Sequence, residues 1–80
     1  MKDEDVIEAV YNAALDYIYS VVPPKRILDL DISAGMDDGE VTIDIRLITD
    51  RSVEIDQRTV DEAVKVASEK ADELMGNKKQ

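Results

Sequence analysis

The spacing of apolar residues changes period twice along this chain, and that limits the folds open to it. From Val6 to Val22 the apolar positions are Val6, Ile7, Val10, Tyr11, Ala13, Ala14, Leu15, Tyr17, Ile18, Val21 and Val22, with Glu8, Asn12 and Asp16 opposite. Recurrence at i, i+3, i+4 and i+7 marks a helix with one buried face. Asp5 and Glu8 fit the N-cap and N3 positions of a capping box, and the acids Asp3 to Asp5 suit the positive end of the helix dipole. Pro23-Pro24 is the stop, because a proline ring clashes with the preceding turn and pushes the residue before it out of the α region.

From Ile27 the period falls to two. Leu28, Leu30, Ile32 and Ala34 alternate with Ile27, Asp29, Asp31 and Ser33, which predicts a strand that buries the first set and exposes the second. Gly35 to Glu40, containing Asp37-Asp38-Gly39, supplies turn residues. Val41, Ile43, Ile45 and Leu47 then face in, while Thr42, Asp44, Arg46 and Ile48 face out. A loop around Thr49-Asp50-Arg51 leads to a short third strand in which Val53 and Ile55 point inward. Such short connections exclude a parallel crossover and predict a three-stranded antiparallel meander.

The helical period returns with Val60, Ala63, Val64, Ala67, Ala71 and Leu74, a stripe of mostly small residues that lets a helix lie close to the sheet. Asp61, Lys65, Glu69 and Asp72 take the solvent side, Asp61 and Lys65 in the favourable i, i+4 order. Asp56, or Thr59 with Glu62, serves as the cap; Gly76 fits the stop, and Gly76 to Gln80 reads as a disordered polar tail. The expected fold is α+β in the order α-β-β-β-α, one domain over residues 1–80. Both helices cover the apolar side of the sheet and the other side stays open to solvent.

An 80-residue chain supports only a small core, worth about 3–5 kcal/mol. With no Cys and no His, neither disulfides nor the usual zinc ligands staple it. The same absences remove most catalytic triads, thiol mechanisms and imidazole metal sites, so the expectation is a non-enzymatic protein without a cofactor. The 19 Asp+Glu against 10 Lys+Arg give a net charge of −9. That field opposes nucleic-acid backbones and anionic membranes, so neither is expected to be bound directly. Met-Lys-Asp-Glu-Asp at the N-terminus lacks an apolar signal core, and no run approaches the ~20 apolar residues of a membrane span. The expectation is a soluble, cytoplasmic protein.

Three acids on the open face, Asp29, Asp31 and Asp44, are the candidates for holding a hard cation such as Mg²⁺ or Ca²⁺, or for carboxylate-based hydrolysis. Register governs that reading. Pairing Ala34 with Val41 sets Asp31 opposite Asp44, whereas pairing Ala34 with Ile43 sets Asp31 opposite Arg46 and closes a four-residue Asp37 to Glu40 loop. Electrostatics favours the second. The same face carries the candidate interaction surface: Ile27, Asp29, Asp31, Asp44, Arg46 and Ile48. The functional reading is a protein-interaction module whose acidity suits a basic partner surface, through the open face or a strand edge. Self-association through a strand edge is the structural alternative. Tyr11 and Tyr17 fall within the helix stripe and Tyr19 at its border. The order α-β-β-β-α also occurs in double-stranded-RNA-binding domains, so an RNA-associated protein of that topology is a further alternative, although those domains grip phosphates with lysines at the start of the last helix, where this chain has Asp56, Gln57, Arg58, Thr59, Val60, Asp61 and Glu62.

The runs EAVYNAALDYIYS, ILDLDIS, VTIDIRLI and VEIDQRTVDEAVKVASEKADELM together resemble a small archaeal domain-of-unknown-function family along nearly the whole chain. Genes of that family tend to lie near those for prefoldin and exosome subunits. The resemblance therefore implies an archaeal cytoplasmic protein associated with RNA-processing or chaperone machinery. It brings no active-site residue with it.

Overall fold

A computed structural model describes residues 2–51 and 57–76. Helix α1 spans Asp3–Val21, strand β1 Ile27–Asp37, strand β2 Glu40–Thr49 and helix α2 Gln57–Met75; a single 3-10 turn, Pro24–Arg26, joins α1 to β1. Among the described residues the sheet has two antiparallel strands. The expected three-stranded meander is thereby corrected to a hairpin, in the order α-β-β-α. The third strand placed on Val53 and Ile55, and the cap at Asp56, lie outside the described residues. Among the described residues the order α-β-β-α does not reproduce the element order of double-stranded-RNA-binding domains.

Helix α1 starts a turn earlier than its capping box implied. Lys2 is the N-cap and makes no side-chain cap hydrogen bond, while the backbone N–H groups of Asp5 and Val6 donate to Lys2 O at 3.0 and 3.2 Å. Asp5 is therefore inside the first turn with Asp3 and Glu4, where the carboxylates meet the positive end of the dipole. At the other end Val22, just before Pro23, is extended at φ −127° and ψ 126°, as the proline requires. Thr59 likewise lies within α2 and does not cap it. Asp61, expected to meet Lys65, accepts a hydrogen bond from Nε2 of Gln57 at 3.1 Å. Gly76 closes α2 with a left-handed φ of +71°, the usual backbone of a C′ glycine.

Both helices pack on one side of the hairpin. Val6, Val10, Ala14 and Ile18 form one i+4 row on α1, continued by Val22 just past its end, and Ala63, Ala67 and Ala71 form another on α2; all are buried. The rows run antiparallel: Val6, Val10 and Ala14 cluster with Ala67 and Ala71, whereas Ile18 and Val22 cluster with Ala63. Alanines on the α2 row let the two backbones approach. Beneath them lie Ile32, Ala34, Met36, Val41, Ile43 and Ile45 at one end, with Ile27, Leu30 and Leu47 at the other. An isolated hairpin is marginal in water, so this sheet persists because two helices seal its apolar side.

The hairpin turn is tighter than the Gly35 to Glu40 segment suggested. Gly35 and Met36 belong to β1, Asp37 pairs with Glu40, and Asp38-Gly39 alone makes the turn, with φ of 52° and 77°. Two consecutive positive φ values are those of a type I′ turn, whose twist matches the flanking strands. Ala34 pairs with Ile43 and Asp31 with Arg46, so electrostatics and turn geometry select the same register.

Candidate functional site

The side of the sheet away from the helices exposes Asp29, Asp31, Ser33, Thr42, Asp44, Arg46 and Ile48. One sequence expectation is inverted there. Between Ile27, paired with Thr49, and Asp29, paired with Ile48, the register slips by one residue. Leu28 is the extra residue of a bulge and is 67% exposed, while Ile27 packs against Ile18, Val22 and Ala63. Ile27 therefore leaves the proposed interaction face and Leu28 takes its place. The cause lies next door: the 3-10 turn delivers Ile27 to the end of α1, and Arg26 and Asp50 lock that end of the hairpin. The Asp50 N–H donates to Arg26 O at 3.0 Å, and the Arg26 Nη1 to Asp50 Oδ2 distance is 3.3 Å. Alternation cannot bury both Ile27 and Leu30 without an extra residue between them.

The result is an exposed apolar pair, Leu28 and Ile48, beside acids. Arg46 Nη2 lies 3.7 Å from Asp29 Oδ2, diagonally across the strands, with both side chains more than half exposed. Asp31 faces Arg46 by register. The arginine is thus flanked by two carboxylates, while Asp44 sits opposite Ser33. Among the described residues no three carboxylates come together as a metal-binding group. The register explains this, since it inserts Arg46 where a third acid would be needed.

A second feature escaped the sequence reading. Along the outer edge of β1, an open groove of about 550 Å³ is lined by Glu4, Ile7, Glu8 and Tyr11 of α1 and by Ile32, Ser33 and Ala34 of β1. A shallower hollow at Lys2, Asp3, Glu4 and Ile7 adjoins it. Tyr11, expected in the core, is 40% exposed here, whereas Tyr17 packs at the edge of the Ile18 cluster. The signal was present as two interleaved i, i+4 pairs, Glu4 with Glu8 and Ile7 with Tyr11, which put an acidic row beside an apolar row.

Among the described residues no helix is long and apolar enough to cross a membrane. The family described as "Protein of unknown function (DUF3194)" matches residues 2–74. An uncharacterised protein of the archaeon Methanocella arvoryzae is 65% identical over 75 residues, 94% of this chain and 95% of its own. The solution structure of the hypothetical protein mth677 from Methanothermobacter thermautotrophicus superposes with a TM-score of 0.76 at 26% identity, covering 96% of this chain and 88% of that one.

Proposed function

The chain belongs to the DUF3194 family, and on that footing we propose that it is a non-enzymatic protein-interaction module, cytoplasmic, that engages a basic partner surface. The observation that carries this reading is the bulge. It leaves Leu28 exposed next to Asp29, the residue paired with Ile48, so that two large apolar side chains, 67% and 45% exposed, lie at the end of the hairpin that carries Asp29, with Asp31 further along β1. Apolar anchors inside a charged rim are how a docking surface combines affinity with choice of partner. A net charge of −9 favours a cationic partner and speeds its approach. The resemblance read from the sequence directs the search for that partner to RNA-processing and chaperone machinery.

The test is affinity capture of the tagged chain from an archaeal host, with Leu28→Asp and Tyr19→Ala run in parallel. The expected result is a stoichiometric basic protein retained by the parent and by Tyr19→Ala and lost with Leu28→Asp. Absence of any stoichiometric partner, with the protein stable and monomeric alone, overturns the reading.

A further inference from the structure

The geometry points to β1's outer edge as the seat for the partner's own strand: an extended segment of alternating apolar and basic residues that adds to the sheet beside β1. The inference rests on the partner-binding reading above and names where, and through what chemistry, the partner docks.

Backbone geometry supplies the ladder. A two-residue turn makes Asp37 and Glu40 a hydrogen-bonded pair, and antiparallel pairing then alternates along the strand. Asp29, Asp31, Ser33 and Gly35 accordingly direct their N–H and C=O groups toward β2, while Leu30, Ile32, Ala34 and Met36 direct theirs outward. No other strand among the described residues pairs with that edge. Seven residues from Leu30 to Met36 offer roughly 23 Å of ladder.

Side chains supply the selectivity. On an added strand, residues on the helix side of the sheet enter the groove against Ile7, Tyr11, Ile32 and Ala34, which selects apolar groups. Residues on the other side come alongside Asp29 and Asp31, which selects Lys or Arg. Glu4 and Glu8 repeat the selection along the rim. They are like charges at i, i+4, a destabilising arrangement, and neither has a salt-bridge partner among the described residues. A cation from outside relieves that repulsion. The same charges disfavour a second copy of this chain, whose own β1 would bring Asp29 and Asp31 against the acids of the first. Edge addition by a partner strand, with the backbone ladder giving affinity and alternate side chains giving choice, is a general recognition mode.

The experiment titrates the isotope-labelled full chain with two capped peptides of the same composition, one alternating lysine and valine and one with lysines and valines in separate blocks. The alternating peptide is expected to bind at least about tenfold more tightly, to move the backbone amides of Ile32 and Ala34, and to slow their hydrogen exchange. Glu4→Gln with Glu8→Gln should weaken it by roughly two- to thirtyfold, the range for two exposed ion pairs. Equal binding of the two peptides overturns the inference, because charge alone would then explain it. Concentration-dependent dimerisation that protects the same amides without peptide also overturns it, by giving the edge to a second copy. Shifts confined to Leu28, Asp31, Asp44 and Ile48 overturn the edge and leave the interaction reading standing. Loss of every partner in the capture experiment overturns both.

Discussion

Single residues set the geometry that everything larger uses. Gly39 holds φ at +77° with nothing within 4 Å of where a Cβ would sit, so the cost of replacing it is conformational and not steric. Gly39→Ala should lower stability by about 1 kcal/mol, the penalty for an L-residue in the left-handed region. In a domain of this size that appears as a fall of about 4–8 °C in the thermal midpoint; an unchanged midpoint would mean that the turn is not type I′ in solution. Ile27 and Leu28 form a sharper pair because they are adjacent and equally apolar. Leu28→Ser should leave the midpoint within the range of ordinary surface changes, about ±0.5 kcal/mol. Ile27→Ser should cost more than about 1 kcal/mol by withdrawing a half-buried side chain from the Ile18 and Val22 cluster. Reversed sensitivities in a denaturant series would put the bulge elsewhere. Such parity was hidden from the sequence, because Ile27-Leu28-Asp29-Leu30 can be threaded either way until the Arg26 and Asp50 clasp fixes its end.

Elements were easier to read than their junctions. Periodicity alone located α1, both strands and α2, since an amphipathic pattern sustained over ten or more residues leaves few alternatives. Capping was not legible in the same way. Asp5 and Glu8 satisfy the capping-box pattern, yet the helix runs past them to Lys2 because three successive acids already suit its positive end. Register was half legible: the alternation allowed two pairings, and Asp38-Gly39, with the opposition of Asp31 to Arg46, distinguishes them. The groove at Glu4, Ile7, Glu8 and Tyr11 was missed because a broad stripe does not reveal where the sheet beneath it ends. The alanine row of α2 gives a test at this scale. Ala67 is fully buried against Val10 and Ala14, so Ala67→Leu should force α1 and α2 apart and cost about 1–3 kcal/mol. Glu69→Leu, on the exposed side of the same helix, should change stability little. Equal effects in parallel melts would show that the row is not a close helix contact.

At the scale of the whole molecule the charge imbalance acts on every element at once. The three principal extents are 40, 25 and 18 Å, whereas the Debye length is about 30 Å in 10 mM salt and about 8 Å at 0.15 M. In dilute buffer nearly every acid therefore interacts with every other, while at physiological salt only neighbours do. Salt also weakens the attractive pairs, Arg26 with Asp50, Arg46 with Asp29 and Lys70 with Glu73. These are exposed contacts worth at most about 1 kcal/mol each, and with 19 acids against 10 bases repulsion outweighs attraction. The midpoint should therefore rise by a few degrees between 10 mM and 0.15 M potassium chloride, a salt chosen because strongly excluded anions such as sulfate would stabilise by another route. A variant carrying Asp31→Asn and Asp44→Asn should rise less, having less repulsion to screen on the sheet's open face. A midpoint that falls with added chloride would mean that ion pairs, and not self-repulsion, dominate the electrostatics of the fold. The case for a cationic partner would then rest on the groove and the bulge alone.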